Sequence, residues 1–250
     1  MSKAGSPPAV LVIGATSDIA RHTADRLAAA GHALWLGGRD HEELTRIAAD
    51  LRVRHGVAVD TLAFDADAFA DAPDAAAAGW ADALQGDVAG VVIALGVYAK
   101  EVDVRERPGL AERMDLVNHR VPAALLKAVP MRVVPGGFVC LVSSVAGDRV
   151  RPSLASYAES KRRVNEAFET ARAASPGLRW VLVKPGPTDT KATWGSGAPM
   201  MADPADVGRD IATAIAAGRR VVYTPAKWRL VMAIIRLIPG PIFRKLFANR

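Results

Sequence analysis

The chain has 250 residues, half of them hydrophobic and 23% charged, which suits one large or two small globular domains and excludes a disordered chain. Its 21 glycines and 16 prolines follow no period, so collagen-like and linker-dominated architectures are excluded as well. The formal net charge of +6 is localised: Lys227, Arg229, Arg236, Arg244, Lys245 and Arg250 follow residue 220 with no acid among them, so the rest of the chain is balanced. A basic excess confined to the tail does not describe a nucleic-acid surface, and no DNA- or RNA-binding motif is present. The single cysteine, Cys140, cannot form an internal disulfide, which points to a reducing, cytoplasmic compartment.

From the N-terminus, short apolar runs alternate with longer helical patterns, predicting βαβ units and a parallel sheet covered on both faces. The predicted strands span residues 9–13, 33–36, 57–64, 90–94, 137–142, 180–184 and 221–223. The run Val10–Ile13 is too short for a signal peptide or a membrane span. No linker or internal repeat divides the chain, and the one shift in composition falls after Pro225. Residues 1–225 therefore read as one domain and 226–250 as an amphipathic, basic C-terminal segment.

After the first strand comes Gly14-Ala15-Thr16-Ser17-Asp18-Ile19-Ala20 and then a helical stretch to about Ala30. A strand, a glycine turn and a helix N-terminus place backbone N–H groups and the positive end of the helix dipole where a pyrophosphate can sit. The second strand ends in Gly37-Gly38-Arg39-Asp40. An arginine there suits the 2′-phosphate of NADP(H), while Asp40 keeps NAD as the alternative.

Farther along, Ser144 ends an apolar strand, Tyr157 follows thirteen residues later and Lys161 four beyond that. The i,i+4 spacing puts the phenol and the ammonium on one helix face, and a positive neighbour is expected to lower the tyrosine's pKa towards that of a working acid–base. A serine hydrolase is the competing use of a reactive serine, but there is no Gly-x-Ser-x-Gly elbow. Histidines 22, 32, 41, 55 and 119 carry no catalytic motif, and with one cysteine they offer no metal-ligand spacing, so no metal site is expected.

The stretch Val142-Ser143-Ser144-Val145-Ala146-Gly147 with Tyr157-Ala158-Glu159-Ser160-Lys161 resembles the Ser…Tyr-x-x-x-Lys signature of the short-chain dehydrogenase/reductases. Leu116-Val117-Asn118 and Pro185-Gly186-Pro187-Thr188-Asp189-Thr190 resemble that family's helix asparagine and nicotinamide-side loop. The resemblance runs in order up to Pro225 and implies a Rossmann-type doubly wound α/β domain. It further implies that Tyr157 protonates a ketone oxygen, Ser144 holds that oxygen, Lys161 binds the nicotinamide ribose and Asn118 holds a proton-relaying water. Cofactor contacts are implied for Gly14, Thr16, Ser17, Asp18, Ile19, Arg39, Asp65, Ala66, Gly96, Pro185, Gly186, Thr188 and Thr190, besides Tyr157 and Lys161. Assembly into a homo-oligomer through the helices holding Asn118 and Tyr157 is implied too. The chain departs from the family pattern at Asp18 and Ala20, which stand for the second and third motif glycines; Asp18 would have to cap the helix or meet Arg21. It departs again at Ile93-Ala94-Leu95-Gly96, where only Gly96 of the usual Asn-Asn-Ala-Gly turn is kept.

The tail runs Lys227-Trp228-Arg229-Leu230-Val231-Met232 and on through Ile238-Pro239-Gly240-Pro241-Ile242-Phe243-Arg244. Its uninterrupted apolar run is too short to span a bilayer, but aliphatics, an edge tryptophan and only positive charges fit an interfacial helix on anionic headgroups. The alternative is a helix packed on the core or on a second subunit, its bases at the rim. Together with the Gly-x-Thr-Ser-acid-Ile turn, this tail is similar to the decaprenylphosphoryl-2-keto-pentose reductase branch of the family. That likeness implies a ketone carried on a polyprenyl phosphate and reduced with NADPH at the inner face of the cytoplasmic membrane. The rival expectations are a soluble reductase of a small ketone or 3-oxoacyl group, and a non-enzymatic NADP(H) sensor.

Overall fold

The inner apolar runs form strands because they are buried on both faces and rich in β-branched residues. A computed structural model describes residues 8–195, 197, 198 and 200–247. Residues 1–7 and 248–250, the outer ends of the two expected segments, lie outside the described residues, and Arg250 with them. The strands are β1 (Val10–Ile13), β2 (Leu34–Gly38), β3 (Val59–Ala63), β4 (Val88–Ile93), β5 (Val133–Val142), β6 (Arg179–Pro185) and β7 (Val221–Thr224). They form one parallel sheet in the order β3-β2-β1-β4-β5-β6-β7. All seven fall on the expected runs. The largest difference is β5, which begins at Val133 rather than 137: the pairing with β4 shifts register between Val88 and Gly90, and Gly136 takes a positive φ there. An irregular strand start of this kind breaks the apolar pattern that reveals a strand.

The helices are α1 (Asp18–Ala29), α2 (His41–His55), α3 (Pro73–Asp82), α4 (Glu101–Glu106), α5 (Leu110–Asp115), α6 (Val121–Ala128), α7 (Ala155–Ala174) and α8 (Pro204–Ala216). Alternation along each strand feeds two cores. Val10, Val12 and Leu36 pack with Leu27 of α1, Leu44 of α2 and Ile211 of α8. Leu11, Ile13 and Val91 pack with Ala77 of α3, Leu125 of α6 and Phe168 of α7. The expected single-domain doubly wound α/β fold is therefore the one observed. Its strand order reverses between β1 and β4, which opens a crevice beyond the carboxyl ends of the strands, the usual place for a ligand in such sheets.

Beyond Pro225 the chain forms α9 (Lys227–Leu237) and α10 (Gly240–Phe247). The inner face of α9 packs Trp228 and Met232 against Val145, in the turn that follows β5. Its other face, continued on α10, leaves Leu230, Ile234, Leu237, Ile242 and Leu246 exposed among the bases Lys227, Arg229, Arg236 and Lys245. Among the described residues no helix is long and apolar enough to cross a membrane.

Candidate active site

A cleft of about 880 Å³ lies over the carboxyl ends of the strands, and every residue expected to touch a cofactor lines it. At its floor the chain leaves β1 through Gly14, whose φ is +83°; a Cβ there would stand 2.6 Å from the carbonyl oxygen of Ala94. Only glycine serves at such a turn. Ser17 is the N-cap of α1, its Oγ accepting from the N–H of Ala20 at 3.3 Å. Asp18 neither caps this helix nor pairs with Arg21: its Oδ2 accepts from the N–H of Lys191 at 2.9 Å, tying the glycine turn to the loop after β6.

Arg39, just past the end of β2, has a largely exposed side chain, with Asp67 4.0 Å from its guanidinium as a loose partner. Asp67 also receives Arg113, and Asp65 caps the turn that contains it, Oδ1 to the N–H of Asp67 at 3.1 Å. Asp40 faces away from this work: its carboxylate caps α2 by accepting from the N–H of Glu43 at 2.9 Å.

The centre of the cleft brings together Ser144, Tyr157 and Lys161. Ser144 opens a tight turn, Val145–Asp148, its Oγ accepting from the N–H of Ala146 at 3.1 Å. Tyr157 stacks edge-on against Tyr98, with ring centroids 5.1 Å apart and planes at 77°. The expected lowering of its pKa is not found: burial pushes the phenol up to about 12, opposed by a hydrogen bond with Ser144 and helped by Tyr98. Burial likewise brings Lys161 down to about 8. Its Nζ donates to the carbonyl oxygen of Leu95 at 3.2 Å, so the atypical Ala94-Leu95-Gly96 turn acts through its backbone, for which the side chains lost from the usual turn are not needed.

Asn118 is fully buried behind the cleft, in a π-helical turn (Leu116–Arg120) between α5 and α6. Its Oδ1 accepts from the N–H of Val97 at 2.7 Å, and its Nδ2 donates to the Val97 carbonyl at 2.9 Å and to Ser160 Oγ at 3.1 Å. Both amide protons are thus committed, and Asn118 clamps the loop after β4 to α7. Among the nicotinamide-side candidates, Thr188 Oγ1 donates to the carbonyl of Gly186 at 3.0 Å, and Thr190 Oγ1 pairs with Thr193 Oγ1 at 3.1 Å.

The remaining wall includes residues that the motifs did not reveal, among them Tyr98, Arg149, Arg151, and Trp228, Met232 and Phe243 of the tail. Trp228 lies on Gly186, where a Cβ would come within 2.0 Å of its indole nitrogen. Arg149 donates to the carbonyls of Ile235 at 2.7 Å and Arg236 at 3.0 Å, at the end of α9, and stacks 4.1 Å from the ring centre of Phe243. Beneath this turn Asp148 is buried, accepting from Lys184 and, at 2.6 Å, from the Tyr223 hydroxyl. Position between Ser144 and Tyr157 was the one sequence signal available for Arg149 and Arg151.

Residues 8–200 match the model of the short chain dehydrogenase family. The chain therefore belongs to that family, a class of NAD(P)-dependent oxidoreductases. It is similar to an uncharacterized oxidoreductase of Mycobacterium tuberculosis strain H37Rv, 30% identical over 98% of this chain and 99% of that protein. It is also similar to an uncharacterized oxidoreductase from the mprA 5′ region of Streptomyces coelicolor, 31% identical over 97% of each. Among solved structures, the short-chain dehydrogenase from Sphingobium yanoikuyae in complex with NADPH shares the fold with a TM-score of 0.76, at 24% identity over 93% of this chain and 96% of that one.

Proposed function

We propose that the protein is an NADPH-dependent reductase converting a ketone to a secondary alcohol, with the ketone carried on a lipid such as a polyprenyl-phosphate keto-sugar, as in the decaprenylphosphoryl-2-keto-pentose reductase branch. One observation carries the reading: Ser144, Tyr157 and Lys161 share a cleft whose outer wall is the apolar inner face of α9 and α10. The cradle fits the cofactor. Gly14, Thr16, Ser17 and Ile19 hold the pyrophosphate at the start of α1, with Asp18 bracing the turn, and Asp65 and Ala66 border the adenine. Arg39 meets the 2′-phosphate, a preference supported by the commitment of Asp40 to α2 and by the NADPH bound to the Sphingobium protein. Lys161 and Gly96 hold the ribose, and Pro185, Gly186, Thr188 and Thr190 the nicotinamide end.

When bound, the reduced nicotinamide supplies the hydride. Tyr157 passes its phenolic proton to the ketone oxygen, which Ser144 holds by a hydrogen bond. Lys161, charged below about pH 8, favours the phenolate left behind. Asn118 sets the distance between the loop after β4 and α7, and so positions Lys161 against the Leu95 carbonyl.

Residues 1–225 are the reductase domain and residues 226–250 its basic tail, of which α9 and α10 wall the cleft and rest on the inner face of the cytoplasmic membrane, presenting exposed aliphatics and bases to anionic headgroups. The protein assembles as a homo-oligomer through the helices around Asn118 and Tyr157. Incubation with NADPH and lipids extracted from the host, followed by mass spectrometry, tests the reading: a gain of two hydrogens on a lipid-linked sugar is expected. Conversion confined to water-soluble ketones or 3-oxoacyl groups would favour the soluble alternative, which the packing of Trp228 and Met232 on the protein's own core supports. Absence of turnover despite NADPH binding would favour a sensor.

A further inference from the structure

The charges along the cleft are unequal. Its lining carries only two acids, Asp18 and Asp65, both at the cofactor end. Of the arginines at that end, Arg39 and Arg113 share Asp67. Beyond Tyr157, Arg149 is spent on the end of α9 and on Phe243.

Arg151 differs. It lines the cleft half-buried, and among the described residues no carboxylate or carbonyl answers its guanidinium. Its charge is felt at Tyr98, the ring stacked on Tyr157: burial pushes the Tyr98 phenol up, Arg151 pulls it back, and Asp103 adds a smaller upward push. Arg151 also opens the short turn Pro152–Leu154, over which α10 lies. An unanswered guanidinium therefore lines the same cleft as the proton donor and the apolar wall of Trp228, Met232 and Phe243. A partly desolvated arginine without a counter-ion is costly to keep, and a planar fork of donors suits phosphate or carboxylate oxygens.

We propose that Arg151 is an anion subsite on the substrate side of the cleft, so that the natural ligand is an amphiphile carrying a phosphate ester or carboxylate near the ketone and an apolar chain along α9 and α10. The inference rests on the reductase reading of the same cleft and narrows its substrate class.

The test is a calorimetric titration of the full-length protein with decyl phosphate, decyl glucoside and inorganic phosphate, each below micelle formation. It is run with saturating NADPH, so that the cofactor's own phosphate sites are filled, and repeated without it. Binding of decyl phosphate at least ten-fold tighter than the neutral glucoside is expected, with that advantage lost in Arg151→Gln and largely kept in Arg151→Lys. Equal affinity of the two decyl ligands, or an equal loss for both in Arg151→Gln, would overturn the subsite. Inorganic phosphate binding as tightly as decyl phosphate, with the same dependence on Arg151, would identify a small soluble anion and overturn the amphiphile. Failure of the reductase reading shows separately, as absence of an NADPH signal or of ketone turnover, because decyl phosphate binding needs neither.

Discussion

The smallest scale is that of single side chains. Tyr157→Phe keeps the ring that stacks on Tyr98 and removes the hydroxyl with its proton, so kcat should fall by about 10² to 10⁴ while NADPH affinity measured by fluorescence titration stays within a few-fold. Retention of a tenth of kcat would contradict the role. The pH profile follows from the two buried neighbours. Tyr157, held up near 12, stays protonated through the working range, whereas Lys161, brought down to about 8, loses its charge as pH rises through that value. Ketone reduction at saturating NADPH should accordingly decline above about pH 8 and hold level below it; a profile flat to pH 10 would remove Lys161 from the mechanism. Arg39→Ala should reduce kcat/KM for NADPH much more than for NADH, since only the phosphorylated ribose needs the guanidinium. Parallel loss for both cofactors would mean that Arg39 acts only on its surroundings. These residues were legible in the sequence because each belongs to a local pattern: a strand end, a glycine turn, or a four-residue step on one helix face. Asp18 was legible only as an anomaly, since its partner Lys191 lies 173 positions away and leaves no trace in spacing.

At the scale of elements, the parallel strands declared themselves as continuous apolar runs because both of their faces are covered. What could not be read was how α9 docks. Trp228 finds room only because Gly186, counted from its motif as a cofactor contact, has no side chain. Gly186→Ala would drive a methyl group into the indole at 2.0 Å, so α9 should lift away, with a melting temperature several degrees lower and faster proteolysis within residues 227–237. Unchanged melting and proteolysis would show that the indole is not fixed there. The turn between Ser144 and Asp148 is a second case: it is held from below by Lys184 and Tyr223 and from the side by Arg149 on α9, contacts formed across 36, 75 and more than 80 positions. Periodicity reports which face of an element is buried, not what it meets.

For the molecule as a whole, the tail has two faces, one walling the cleft and one exposed. Because its inner face walls the cleft, removing everything after Pro225 would open the active site as well as any lipid contact, and such a truncation cannot separate the two. Substitution of the exposed Leu230, Ile234 and Leu237 by glutamate leaves the inner face alone. The triple variant should lose binding to vesicles containing anionic lipid while retaining NADPH oxidation with a water-soluble ketone; co-sedimentation equal to that of the unaltered protein would end the membrane reading. The link through Arg149 carries a consequence of its own. The guanidinium grips the last turn of α9 and stands five residues from Ser144, so whatever steadies the outer helices also steadies the hydroxyl that holds the ketone oxygen. On the proposed membrane reading, anionic vesicles should therefore raise turnover even of a ketone that never enters the bilayer, much as a clamp improves a tool whatever the workpiece.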